Sequence, residues 1–193
     1  MTKERLYIFD TTLRDGAQTQ GVDFSIDDKI KIAHALDSLG VDYIEGGWPG
    51  ANPSDTEFFQ KKIKLNKSIM TAFGMTKKTG RSAENDPGLS SILNSNTSSV
   101  CLVGKSWDFH VDVALGISEE ENLENISEST KLFVKEKKEF MFDAEHFFDG
   151  FKSNKKYALS CIKSAYDNGA KWIVLCDTNG GTLPHEVSEI VYE

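Results

Sequence analysis

Residues 7–16 read YIFDTTLRDG, an apolar run that ends in two threonines, Arg14, Asp15 and Gly16. A guanidinium beside a carboxylate in a loop is most often a solvated ion pair closing a turn. It can also be a place where a fixed cation and a metal-binding carboxylate meet one substrate. A divalent cation held by Asp15 would polarise a 2-oxo acid, whose keto oxygen and carboxylate can chelate it together. Arg14, always charged, would then stabilise the alkoxide that develops when a carbon nucleophile attacks the ketone. Glu45, in the next apolar run, is placed either to orient Arg14 or to serve as a plain loop carboxylate.

Asp143 and Glu145 lie two apart in EFMFDAE. In an extended strand they project to one face, where they could join Asp15 around a cation or simply bond to a neighbouring loop. His146 would face the other way unless a bulge intervenes. Thr178 in CDTNGGT, and Thr11 or Thr12 in the first loop, either offer hydroxyl donors for a substrate carboxylate, with Asn179-Gly180-Gly181 supplying flexible backbone, or serve only as local caps. His110 in GKSWDFHVDVALG could reach a site mouth as donor or base, while Trp107 and Phe109 pack a lid or touch ligand. His34 and His185 fall within helical stretches and suit surface or packing roles.

Positioning these groups requires regular elements. Apolar runs at 6–10, 41–47, 68–74, 98–104, 139–145 and 171–177 read as strands, each followed by an amphipathic stretch, at 27–39, 54–64, 85–95, 118–137, 153–168 and 184–192. Ser25, Ser54 and Ser118 precede acidic residues as helix caps, and Gly40 and Gly169 stand where helices should stop. Six β-then-α units imply a parallel sheet, open or barrel-like. Arg14-Asp15, Glu45, Lys105, Asp143–Glu145 and Asp177–Thr178 fall at strand C-termini, where both kinds keep their sites. No glycine-rich phosphate loop follows the first strand, which favours the barrel. A complete barrel takes eight units and ~250 residues. The expectation is an α/β chain, residues 1–193, forming the N-terminal part of a (β/α)8 TIM barrel: roughly six units, with strands seven and eight absent and unpaired edges at strands one and six.

Of 193 residues, 39% are hydrophobic and 27% charged, an ordinary globular balance. With 22 basic against 30 acidic side chains, the formal charge of -8 argues against a nucleic-acid partner, so an anionic substrate must be met by local positive charge. No apolar run approaches the ~20 residues of a membrane span, and MTKERLYIFD lacks a signal-peptide core, so a cytoplasmic protein without a membrane partner is expected. Cys101, Cys161 and Cys176 form no C-x-x-C and are expected to be buried, reduced thiols.

Taken together, DTTLRDG with Gln18, IEGGWPGANPSD, GKSWDFHV, DAEHFFDGFK and LCDTNGGTLPHE resemble the DRE-type TIM-barrel metal-dependent acyltransferases, the family of the 2-isopropylmalate, homocitrate and citramalate synthases. WPGANPSD and GKSWDFHV resemble the citramalate branch most. The resemblance implies condensation of acetyl-CoA with a 2-oxo acid, here pyruvate, followed by thioester hydrolysis. It also implies a divalent metal cation (Mg, Mn or Zn), a homodimer when full length, and a place in branched-chain amino-acid (isoleucine) biosynthesis. Carried over by position, Arg14 resembles the catalytic arginine, Asp15 the metal ligand, Glu145 the catalytic glutamate beside the substrate and Thr178 the residue that binds the oxo-acid carboxylate. Gln18 and His110 fall on motif positions lining the site, and Asp143 is counted with them as substrate-binding.

Alternatives remain within the family, with 2-oxoisovalerate or 2-oxoglutarate as substrate or a retro-Claisen lyase or aldolase activity, and outside it, as a non-catalytic barrel fragment. Many members read RDGEQ where this chain has RDGAQ, so Ala17 removes a carboxylate. The family's His-x-His metal motif and any regulatory domain are expected to lie beyond Glu193, and the chain alone is expected to be inactive.

Overall fold

The computed structural model describes residues 4–193. The chain forms two compact units, one comprising the residues up to Gly74 with Ser90–Val100, the other Met75–Leu89 with Cys101–Glu193. The element order is strand then helix throughout, the order of the first six units of a (β/α)8 barrel. Among the described residues no helix is long and apolar enough to cross a membrane.

In the first unit, β1 (Phe9–Asp10) pairs in parallel with β2 (Tyr43–Gly47), and β2 with β3 (Ile69–Met75). β1 is shorter than its apolar run because the ladder begins only where β2 does, and the Ile8 N–H is taken by the Asp42 side chain at 2.9 Å. Helix α1 (Ile26–Leu39) opens on the expected cap, Ser25, in a reciprocal box with Asp28, and ends at Gly40 with φ 90°. Helix α2 (Pro53–Gln60) is capped by Asn52, not Ser54. Asn52 Oδ1 accepts the Asp55 N–H at 2.7 Å, and Pro53 takes the first helical position, where its missing N–H has no partner to lose. Ile44, Phe58 and Ala72 fill the core beneath the sheet.

In the second unit, β4 (Ser99–Lys105), β5 (Glu139–Glu145) and β6 (Trp172–Leu175) follow in sheet order, β5 and β6 in parallel. Helix α3 (Pro87–Leu93), of which only the part up to Leu89 belongs to this unit, opens on Asp86, whose Oδ1 accepts from Gly88 and Leu89. Helix α4 (Glu119–Lys135) opens on a Ser118–Glu121 box. Helix α5 (Phe147–Asp167) starts six residues before its expected position and kinks at Asn154 (φ -139°, ψ 78°). Asn154 Oδ1 accepts the Tyr157 N–H at 3.2 Å, so the expected helix is the second of two pieces. Helix α6 (Pro184–Tyr192) follows β6. Phe133, Phe140, Phe142 and Phe147 pack the core of this unit.

Asp37, near the end of α1 and almost wholly buried, fixes the approach to β3. Its carboxylate accepts the backbone N–H groups of Asn66, Lys67 and Ser68 at 2.8–2.9 Å. Those bonds, the Asn66 N–H first, hold its carboxyl well below the usual carboxylate range. A carboxyl lowered on folding contributes stability that is complete above its unfolded pKa and is lost as pH falls toward the folded value. Asp37→Asn is therefore expected to lower stability at neutral pH and to flatten its decline below about pH 4, the ordinary carboxylate pKa; urea unfolding across that range checks it.

Candidate active site

Arg14 follows β1 in a tight turn in which the Thr11 carbonyl accepts from Arg14, Asp15 and Gly16 at 2.9–3.1 Å. Its side chain is held on three sides. Nε donates to Glu45 Oε2 at 2.5 Å, NH1 reaches Asp15 Oδ1 at 3.2 Å, and the guanidinium lies 3.9 Å from the Phe73 ring centroid. Phe73 is braced by Trp48, edge-on at 5.5 Å. Glu45, the Nε partner, has a wholly buried side chain. Arg14 NH2 makes no hydrogen bond among the described residues, so one pair of donors remains for a ligand. Asp15 has a 61% exposed side chain, and among the described residues only its Oδ1 is engaged.

The β2–α2 loop is set by a register shift between Glu45 and Gly47 and by the Asp55 carboxylate. Asp55 accepts from the Trp48 N–H at 2.8 Å, from Asn52 Nδ2 at 3.0 Å and from the buried Lys29, whose ammonium also donates to the Gly46 carbonyl. Gly47 has φ 144°, and a Cβ there would lie 2.5 Å from Asp55 Cγ, so only glycine lets the carboxylate in. Arg14 and Gln18 line a cavity of about 320 Å3 together with Phe24, Lys29, Trp48 and Asp55. Larger hollows in this unit, about 460 and 730 Å3, contain none of the predicted site residues, so size is a poor guide to the chemistry here. Thr12 does not offer its hydroxyl outward, because Oγ1 donates to Asp10 Oδ2 at 3.1 Å.

In the second unit, the loops after β4, β5 and β6 interlock. Lys105, ending β4, forms an ion pair with Glu145 Oε2, and Ser106 donates from both N and Oγ to the Glu145 carbonyl. Glu145 Oε1 makes no hydrogen bond among the described residues. The Lys105 carbonyl is pinned from below by Asn122 Nδ2 at 2.8 Å and Cys161 Sγ at 3.7 Å. Burial pushes the Cys161 thiol up to about 12, so it stays a protonated donor. Cys101 is buried as expected, whereas Cys176 is half-exposed. Asp143 lies two residues before Glu145 on β5, with a carboxylate oxygen within 4.8 Å of Cys101 Sγ.

His110 ends a helical turn (Asp108–His110) and packs against Trp107 at 4.8 Å and edge-on to His146 at 4.4 Å. Its Nδ1 is buried with no hydrogen-bond partner among the described residues, and burial, then the neighbouring His146 and Lys105, holds its pKa below the ordinary histidine value. His146 has φ 54° and opens α5 directly from the strand. Thr178 is exposed after β6, and its Oγ1 accepts the His146 N–H at 2.9 Å. His34 and His185 are exposed on helices.

The HMGL-like family model matches residues 5–193. The chain belongs to the HMGL-like family. It is 53% identical to an (R)-citramalate synthase of Aquifex aeolicus over 97% of this chain and 36% of that protein. With an (R)-citramalate synthase of Sulfolobus acidocaldarius it shares 51% over 98% of this chain and 37% of that protein. A 2-isopropylmalate synthase of Caldanaerobacter subterraneus is 32% identical over 99% and 47%. The chain thus spans little more than a third of the citramalate synthases it matches. Among solved structures, the HMG-CoA lyase of Bacillus subtilis superposes with a TM-score of 0.80 at 18% identity, over 98% of this chain and 64% of that one, and so supports the fold.

This HMGL-like chain carries site features that periodicity does not encode. Lys29, Asp55 and Phe73 organise the surroundings of Arg14, and Lys105, His146 and Asp149 those of Glu145; Lys105 stood at a strand C-terminus and Asp55, His146 and Asp149 within the strings that carry the resemblance, while Lys29 carried no signal. Gly150, in the first turn of α5, permits the second set. A Cβ there would lie 2.2 Å from the Ser106 carbonyl oxygen and 3.0 Å from Trp107 Cα. Gly150→Ala is expected to cost about 2 kcal/mol or more, because backbone on both sides must move; chemical denaturation measures it, and the loss should exceed that of Gly181→Ala, where a Cβ meets nothing within 4 Å.

Proposed function

We propose that this chain is the N-terminal part of the (β/α)8 catalytic barrel of an acyltransferase that condenses acetyl-CoA with pyruvate to (R)-citramalate. The observation that carries this reading is the clamp on Arg14, which fixes the guanidinium plane and leaves the NH2 donors open. In the reaction the acetyl methyl group gives up a proton and its carbon bonds to the keto carbon of pyruvate, the keto oxygen taking the displaced electron pair. Water then cleaves the thioester, releasing coenzyme A. Arg14 is assigned to the oxygen where charge develops, and a donor oriented in advance is worth most there, since it need not reorganise as the barrier is crossed.

A divalent cation, Mg, Mn or Zn, would supply Lewis-acid polarisation of that carbonyl when bound. Asp15 suits it as one ligand, being an accessible hard oxygen donor with one oxygen unengaged. Glu145, with Oε2 held by Lys105, offers Oε1 to substrate. Thr178 is assigned to the pyruvate carboxylate, and Gln18, His110 and Asp143 to the substrate walls. Identity of 53% and 51% to proteins named (R)-citramalate synthase, against 32% to a 2-isopropylmalate synthase, supports pyruvate as the oxo acid. On the same footing the whole protein is assigned to the cytoplasm, as a homodimer acting in branched-chain amino-acid biosynthesis.

Two measurements on the full-length protein test this. Arg14→Lys keeps a charge but loses the fork, so kcat should fall about 10²- to 10³-fold with little rise in KM; a near-native kcat would remove Arg14 from that role. In a thiol-release assay across oxo acids, pyruvate should be used in preference to 2-oxoisovalerate and 2-oxoglutarate, and a reversed order would change the substrate while leaving the family standing.

A further inference from the structure

Two hydrogen bonds tie the segment after β5 to the loop after β6, and a third, within the first segment, braces them. His146 N–H donates to Thr178 Oγ1 at 2.9 Å; His146 Nδ1 and Asn179 Nδ2 both meet Asp149 Oδ2 at 3.0 Å. Asp149 thereby selects the tautomer of His146 with the proton on Nδ1, and Asn179 anchors the carboxylate that does so. His146 stands at φ 54°, a conformation in which a residue with a Cβ is strained and which persists only where its surroundings enforce it. The side chain is 11% exposed, and its ring is boxed by His110 at 4.4 Å and Trp107 at 5.6 Å. The outcome of this enforcement is the direction of one N–H. Because the Thr178 oxygen accepts it, and because the Thr178 hydroxyl proton has no acceptor among the described residues, the exposed hydroxyl is left with its donor face unspent.

We infer that His146 is a positioning residue for the oxo-acid carboxylate: its left-handed backbone, locked by Asp149 and Asn179, fixes Thr178 so that the hydroxyl proton is what the substrate meets. This rests on the assignment of Thr178 to that carboxylate. A hydroxyl free to rotate would offer lone pair or proton alternately, and a carboxylate accepts only the proton. The constraint acts on binding of the oxo acid, not on the thioester.

A double-mutant cycle on the full-length protein separates this from a merely structural role. Asp149→Ala should raise KM for pyruvate by about tenfold, the worth of one hydrogen bond to a charged group, with KM for acetyl-CoA within about twofold. In a Thr178→Val background the same substitution should add less than about twofold. Equal effects of Asp149→Ala in both backgrounds, or a matching rise in KM for acetyl-CoA, would overturn the inference. Should Asp149→Ala fail to fold, Asn179→Ala, on an exposed loop, enters the same cycle with the same two outcomes at smaller amplitude. An unchanged pyruvate KM in Thr178→Val itself would instead refute the assignment of Thr178, and the positioning role with it.

Discussion

Glu45 has no solvent-exposed side-chain surface, and a carboxylate in such a place is tolerated only when a partner offsets the lost hydration. Arg14 is that partner, and much of the first unit follows from keeping the two together. The register shift after Glu45 frees Gly46 and Gly47 to pass Met70, Phe58 and Asp55 at distances no side chain would allow. Phe73 gives the guanidinium a flat face to lie on, and Trp48 keeps Phe73 from turning. The second unit solves a like problem with Lys105 and Glu145, where the lysine's own carbonyl is pinned by Asn122 and Cys161 so that the ammonium starts from a fixed point.

The net charge of -8 sets no attractive field for anionic substrates, and the cations inside the protein do little to reverse it. Arg14 already bonds two carboxylates and Lys29 and Lys105 one each, so none of these clusters is net positive at a distance. What stays unspent is directional: in the first unit one edge of a guanidinium, in the second one oxygen of Glu145 and one hydroxyl proton of Thr178. Binding to groups of this kind depends on hydrogen-bond geometry, which is short-ranged and demands rigid mounts.

How much of this was legible in the sequence depends on whether a feature is local. Strands buried on both faces show as continuous apolar runs, so β2 to β5 were visible within a residue or two, whereas β1 and β6 overran because the ends of a ladder depend on the partner strand. Ser25 and Ser118 announced their helices through the acid three residues on. The start of α5 was invisible because the chain turns from strand to helix through His146 in a left-handed conformation, with no capping side chain to signal it. Among the candidate residues, strand C-termini pointed to Arg14, Glu45, Glu145 and Thr178, but the bond between Lys29 and Asp55, 26 positions apart, answers to no spacing rule. Thr12, open to a donor role or a local cap, bonds its neighbour Asp10, a competition common to short polar side chains in turns.

The break at Asn154 divides α5 into an inner piece that carries Gly150 against the Ser106 carbonyl and an outer piece that buries Tyr157, Ala158 and Cys161. The inner piece belongs mechanically with the loops, while the outer belongs with the core. A continuous helix would transmit any gain or loss of a residue as a 100° rotation and a 1.5 Å advance along its whole length. At a seam where the ladder of backbone bonds is already interrupted, that phase is reset. Divergent members of such a lineage can therefore lengthen or trim the outer helix from Asn154 onward while the segment against Ser106 keeps its register.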